Sequence, residues 1–322
     1  MARLASVPWR RIPLLALLLL LAAPGARAQP TVATLQAITL SMGYVPNVQF
    51  APFYVADARG YYAAAHVKVT FDYAQSPDII KLIAAGNLGF GNTEADQVIV
   101  GRAHGLSVVS VLTQYQRFPV VIFALQSSHI RSFADLKGKT IGIPGLYGAS
   151  YTGLLAALHA AHLSTSDVKI EAINYTQVSE VARHQVDAAV GYVMNEPVQL
   201  QQLGYKVTVL PVANVADLAG AGVIASQSLI QRQPNLVQRF VQATYRGLSD
   251  TIANPNAAFT ISRRYIKGLD ASHWQMQLAV LQQAVRYWAA PAGHHLGCAT
   301  AGQWTNTQSA LIEQKQIAGL MK

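Results

Sequence analysis

Five tyrosines stand at the ends of predicted strands: Tyr44, Tyr73, Tyr115, Tyr175 and Tyr192. A phenol ring there can stack on a flat ligand, each aromatic pair adding about 0.5–1.5 kcal/mol beyond simple burial. Tyrosine is also an ordinary strand and core-edge residue, so the recurrence at equivalent places carries the argument rather than any one ring. The same stretches hold Asn47, Asn92, Glu94, Gln114, Asn195 and Glu196. An amide offers a donor and an acceptor together, as the edge of a nitrogen-containing ring requires. Asparagine equally caps helices and turns, so Asn47 and Asn195 read both ways.

GIPGLYGASYTGLL (142–155) is a strand, a glycine-rich turn and a helix start. Ser150 or the free backbone N–H groups behind it would hold a carbonyl or an anion there, with a plain serine cap as the alternative. The stretch lacks the Gly-Lys-Ser/Thr ending of a phosphate loop. His159 and His162 share a helix face without a third ligand nearby in sequence, and neither G-x-S-x-G nor H-E-x-x-H occurs. No catalytic residue, metal or cofactor is expected.

The elements that must position these residues follow from periodicity. Short β-branched runs alternate with amphipathic stretches, which predicts an α/β fold with mostly parallel sheets. First-lobe strands are expected at Ile38 to Tyr44, Val67 to Tyr73, Leu88 to Gly91 and Val108 to Tyr115. After the run VVIFALQSS the second set comprises 140–143, Val168 to Tyr175, Ala188 to Tyr192 and Lys206 to Val212, with Gly220 to Ser226 returning. Helices are expected at 52–60 (Pro52 opening, Gly60 ending), from Ser76 and Pro77 to Gly86, and at 151–162, 177–185 and about 196–203. The remainder reads as helices broken at Pro255, Gly268 and 291–302. The expected partition is 36–121 with 226–322 as one discontinuous lobe and 122–225 as the other, hinged at about Val121 to Gln126 and Gly220 to Ser226, with the ligand cleft between lobes. In such sheets ligands bind beyond the carboxyl ends of the strands.

Composition narrows the setting. Arg3, Arg10 and Arg11, an apolar stretch from Leu14 to Ala23 and the triplet Ala26-Arg27-Ala28 describe a secretory leader cleaved after Ala28. The apolar block is shorter than the roughly 20 residues a membrane-spanning helix needs. No cysteine sits near the cleavage point for a lipid anchor, so the mature chain is expected free in the periplasm or outside the cell. The four arginines of the leader, unaccompanied by acids, carry the net charge from +9 to +5 on their removal. The remaining bases are scattered, so nucleic acid is not indicated. Cys298 is the sole cysteine, so no intramolecular disulfide can form.

GYVPNVQFAPFYVADARGYY, SFADLKGKTIGIPG and VDAAVGYVMNEP resemble type II periplasmic binding proteins, the exported ligand receptors of ABC importers. The likeness spans about 36–290 and is strongest to the branch named after the thiamine-pyrimidine synthase. The runs GYVPNVQFAPFYVA, ADQVIVGRAHG, QRFPVVIF and GIPGLYGASY look most similar to riboflavin-binding receptors. The resemblance implies an extracytoplasmic, monomeric solute-binding protein with a membrane permease as partner and riboflavin or a thiamine-type pyrimidine as ligand. A synthase-like enzyme and a receptor for sulfonate- or nitrate-type anions are the alternatives. It also implies that the loop of Tyr44, Asn47 and Phe50 faces the ligand, held ready by Pro46 and Pro52, with Phe53 and Tyr54 in the core. The expected ligand-binding set is Tyr44, Asn47, Phe50, Tyr73, Asn92, Glu94, Gln114, Tyr115, Ser150, Tyr151, Tyr175, Tyr192, Asn195 and Glu196.

Overall fold

The computed structural model describes residues 35–73, 79–267 and 270–320. The leader, the helix opening at Ser76 and Pro77 and the break at Gly268 fall outside them. Among the described residues the strands are β1 (Gln36–Ser41), β2 (Val67–Asp72), β3 (Phe90–Thr93), β4 (Val108–Thr113), β5 (Val120–Leu125), β6 (Thr140–Ile143), β7 (Lys169–Ala172), β8 (Ala188–Tyr192), β9 (Val207–Pro211) and β10 (Gly222–Ser226). They form two five-stranded sheets, ordered β2-β1-β3-β10-β4 and β7-β6-β8-β5-β9.

The two sheets share one plan. In the first, β2, β1 and β3 pair in parallel, and β10 lies antiparallel between β3 and β4. In the second, β7, β6 and β8 pair in parallel, and β5 lies antiparallel between β8 and β9. Four strands of each sheet therefore run one way and a single strand runs back. Burial follows position: central β5 (VVIFAL) and β10 (GVIAS) are buried throughout, whereas edge strand β2 shows a mixed pattern. Continuous apolar runs are what a strand covered on both faces requires.

The reversed strand is in each case the one that has just crossed from the other half. β5 arrives from the first half and β10 from the second, so the crossings are 114–119 and 212–221. The strands Val120–Leu125 and Gly222–Ser226 are themselves sheet interior, which moves the crossing points off the strands expected to flex.

Helix Ala51–Ala58 follows β1 with Pro in its first turn, and Gly60 beyond it takes φ +70°. Ala51 to Ala56 are all buried, with Phe53 and Tyr54 in the core. The long helix Pro234–Ala253 crosses it closely: a Cβ at Gly247 would come within 2.1 Å of the Pro52 carbonyl oxygen. Tyr54 also stacks on Tyr265 at 4.5 Å between centroids, and the Tyr265 hydroxyl donates to Asp57 at 2.7 Å. These contacts fix the segment that carries the 43–50 loop.

Two C-terminal helices brace the crossings. The Tyr287 carbonyl, at the end of helix Trp274–Trp288, accepts from the backbone N–H of Gln116 at 2.8 Å. Gln303, in helix Ala301–Glu313, is 4% exposed, and its Nε2 donates to the Gln116 carbonyl at 3.1 Å and to Asp217 Oδ1 at 3.0 Å. One side chain thus reaches both crossing segments.

A methyl at the tightest helix contact should be felt. Gly247→Ala is expected to lower stability by about 1–3 kcal/mol through overpacking, read as a lower urea midpoint at unchanged slope. A wild-type midpoint would mean that the two helices separate at no cost.

Candidate functional site

The loops at the carboxyl ends of both sheets enclose a cavity of about 360 Å³. That is within the range of small-molecule sites, about 300–1,000 Å³. Apart from Tyr73 and Tyr151, every residue of the expected binding set lines it.

The first half supplies the 43–50 loop and the residues after β3. Asn47 Oδ1 accepts from the Gln49 N–H at 2.9 Å, capping the short 3-10 turn Val48–Phe50, so this side chain performs the turn role and lines the cavity as well. Gln49 in turn receives Gln114 Nε2 on its carbonyl at 2.9 Å and the Tyr115 hydroxyl on Oε1 at 3.0 Å. The crossing segment is thereby pinned to the loop. The second half supplies the start of helix Gly148–Ala160, the residues after β7 and the end of β8 running into helix Glu196–Gln202. Ser150 lies in the first turn of its helix, whose N-cap is Tyr147, so it is not the cap. The positive end of that helix borders the cavity and suits a carbonyl oxygen.

Tyrosines meet across the cleft in pairs. Tyr44 and Tyr175 have centroids 5.9 Å apart at 56°, and Tyr115 and Tyr192 are 6.3 Å apart at 74°. Holding a ring between two others needs parallel planes about 7 Å apart, two contacts of about 3.5 Å. These pairs are tilted and touch each other, so in this arrangement neither pair leaves a slot for a flat ring between its members.

Tyr73 and Tyr151 correct the expectation. Tyr73 follows edge strand β2, where its hydroxyl donates to the Tyr54 hydroxyl at 2.9 Å and its ring tilts against Phe50 within the first-sheet core. Tyr151 is one residue past Ser150, about 100° around the helix, and packs against the second-sheet core. The helix starts at Gly148 and not at 151, which turns this side chain away. Residues the sequence reading missed include Gln49, Gln97, Tyr147 and Gln177. Gln49 and Tyr147 lie inside the two runs singled out above, whereas Gln97 and Gln177, glutamines in the first turns of helices, resemble ordinary surface residues.

Electrostatically the cavity is acidic. Glu94 and Glu196 line it, and no Lys, Arg or His does among the described residues. The segment 74–78 contains no base either. Burial pushes the Glu94 carboxyl up to about 7, opposed by the hydroxyl of Tyr192 that donates to Oε1 and reinforced by nearby Asp96. Burial also raises Glu196, whose carboxylate accepts from the Tyr192 N–H at 2.8 Å and from Asn195 Nδ2 at 3.0 Å. Asp96, 1% exposed, accepts from Thr152 Oγ1 at 2.8 Å, a second contact between the halves. Asn92 Oδ1, Glu94 Oε2 and Gln114 Oε1 are buried and have no hydrogen-bond partner among the described residues. Buried polar atoms are nearly always paired; Asn92 Oδ1 and Gln114 Oε1 are left able to accept, and Glu94 Oε2, the place for the proton that the raised carboxyl keeps, is left able to donate.

The profile of the NMT1/THI5-like family matches residues 47–258. The chain belongs to that family. A protein of Chloroflexus aurantiacus named riboflavin-binding protein RibY is 43% identical over 305 residues, covering 93% of this chain and 85% of the relative. A protein of Legionella pneumophila named 4-amino-5-hydroxymethyl-2-methylpyrimidine phosphate synthase is 27% identical over 229 residues, covering 70% of this chain and 72% of its own. Among solved structures, the periplasmic aliphatic sulphonate binding protein SsuA from Escherichia coli superimposes with a TM-score of 0.71 at 16% identity, covering 88% of this chain and 89% of that one. Together with the paired sheets, this likeness gives the two-lobed fold of type II periplasmic binding proteins, with the cavity between the lobes.

The raised Glu94 carboxyl has a sign in stability. The native state keeps this proton up to about pH 7, whereas the unfolded chain loses it near the ordinary value of 4.5. Stability therefore falls as pH rises between those values, by up to about 3 kcal/mol. Glu94→Gln is expected to flatten that fall, measured by urea denaturation at pH 5 and pH 7.5. An unchanged pH slope would show that Glu94 is ionised throughout.

Proposed function

We propose that this protein is an exported solute-binding protein that captures a planar nitrogen heteroaromatic for a membrane permease, with riboflavin the leading ligand and a thiamine-type pyrimidine second. The observation that carries this is the lining of the cavity. Tyrosine rings from both halves stand beside buried, unpartnered oxygens of Asn92, Glu94 and Gln114 that suit the ring N–H and chain hydroxyls of such a ligand, with a helix N-terminus suited to a ring carbonyl and no base among the described lining residues. The absence of cationic groups from the described lining disfavours sulfonate or nitrate, whose full negative charge would be buried there without a partner. The 43% identity to a protein named for riboflavin binding supports the same choice.

Binding without turnover is the reading for the site. Relatives named as pyrimidine phosphate synthases raise the enzyme alternative; the described lining offers no Cys, His or Lys as nucleophile, and its one group of general-base strength near neutral pH, Glu94, is engaged by the Tyr192 hydroxyl. Export rests on the leader read at residues 1–28, and no helix of the described residues is long and apolar enough to cross a membrane.

Capture is by closure of the two lobes about the crossings 114–119 and 212–221, with the Glu94–Tyr192 and Asp96–Thr152 bonds forming as the lobes meet. Small-angle scattering is expected to show a smaller radius of gyration on addition of riboflavin, and an unchanged radius at saturation would remove the closure step.

Titration of riboflavin with the protein should quench flavin fluorescence saturably, because stacking on a phenol quenches the excited ring. Gln114→Ala, which deletes an oxygen aimed at the ligand, is expected to weaken binding about tenfold, about 1.4 kcal/mol. Unquenched, unshifted fluorescence in the presence of excess wild-type protein would eliminate riboflavin as the ligand.

A further inference from the structure

A second, more open space of about 580 Å³ adjoins the cavity on the second-lobe side. Four residues line both: Tyr44, Tyr175, Asn195 and Glu196. The tilted Tyr44–Tyr175 pair therefore forms a neck between an inner chamber and an outer groove. The helix N-terminus at Gly148 to Ser150 borders only the inner chamber. The outer groove carries hydroxyls, amides and apolar surface, including Ser179, Gln199 and Leu203, and no Lys, Arg or His among the described residues lines it.

At the neck, Glu196 is held in place. Its carboxylate is fixed by the Tyr192 N–H and by Asn195 Nδ2, while Asn195 Oδ1 accepts from Gln199 Nε2 at 3.0 Å. β8 leaves no room for it to withdraw from a larger neighbour, since a Cβ at Gly191 would come within 2.4 Å of Glu196 Oε2. A rigid carboxylate flanked by amides accepts hydroxyl groups well and repels a phosphate that must pass or rest beside it.

We propose that the ligand is elongated: its flat ring occupies the inner chamber, an uncharged hydroxylated chain runs past Tyr44 and Tyr175 into the outer groove, and Glu196 refuses the form of the same molecule whose chain ends in a phosphate. This rests on the flavin reading above and deepens it, since it assigns each part of the ligand to one space and gives the site a means of choosing the free vitamin over its phosphorylated form. The discrimination comes from a fixed charge at the neck and from the lack of a compensating base beyond it.

Three flavins with the same fluorescent ring test it: riboflavin, riboflavin 5′-phosphate, and lumiflavin, which has a methyl group in place of the chain. Riboflavin is expected to bind tightest. The phosphate is expected to bind at least about tenfold more weakly, the like-charge penalty being reduced by the openness of the groove. Lumiflavin is expected to fall several-fold below riboflavin through loss of the chain contacts. Glu196→Gln should narrow the ratio between riboflavin and its phosphate. Leu203→Arg, at a position 65% exposed and so safe for folding, should narrow it about fivefold by adding a base to the groove. Equal affinity for riboflavin and its phosphate, or a ratio that neither variant moves, overturns the charge selection. Lumiflavin binding as tightly as riboflavin overturns the placement of the chain. If none of the three binds, the flavin reading itself falls and this inference with it, an outcome distinct from binding without discrimination.

Discussion

Each sheet of this protein is incomplete without a strand delivered by the opposite half. β5 fills the gap between β8 and β9, and β10 fills the gap between β3 and β4. Because both are central and buried, neither half can form its sheet until the chain has crossed, and the two crossings must run side by side. The loops at the carboxyl ends of both sheets are consequently brought to one place. Gln114 and Tyr115 stand on the first crossing itself, and their bonds to Gln49 tie the loop of the first lobe to that axis. The cleft is thus a product of topology before it is a product of side chains.

What lines the cleft is acidic and aromatic. A carboxylate buried without a cation is costly, and here hydrogen bonds offset only part of the cost, so all three carboxyls hold their protons more tightly than usual: Tyr192 donates to Glu94, Thr152 to Asp96, and Asn195 with a backbone N–H to Glu196. Two of these bonds run between the lobes, so the same donors that relieve the buried charge also hold the halves together. Loss of either donor would raise the carboxyl's hold on its proton further, which makes a partly opened arrangement with dry, ionised carboxylates unfavourable. Water or a ligand must replace the donors as the lobes part.

The fold was legible because each local signal agreed with the global plan. Pro52 and Gly60 bound the first helix as their fixed or left-handed φ demands, and β6 and β8 lie where their apolar runs predict. The crossings were harder, because β5 and β10 read as buried strands whichever sheet they join, and sheet order is set by long-range pairing that sequence does not display. The same limit explains Tyr73: its place after a strand was visible, but not that β2 is an edge. Tyr151 was misplaced for a different reason. Gly148 begins its helix in an extended-to-helical transition no side chain caps, so the start was read three residues late and the faces were rotated accordingly. The strand-end asparagines, glutamate and tyrosines of β3, β7 and β8 needed only the rule that such ends converge.

Gln303 is joined at both ends of its amide. Its Oε1 accepts from the Thr300 N–H in the capping box of its own helix, while Nε2 reaches Gln116 and Asp217 on the two crossings. Turning one lobe against the other alters the spacing of those acceptors, so one bond must lengthen as the lobes swing. In the closure proposed above, the resting angle of the jaw and the stiffness with which it returns would be governed from helix Ala301–Glu313, no residue of which lines the cavity.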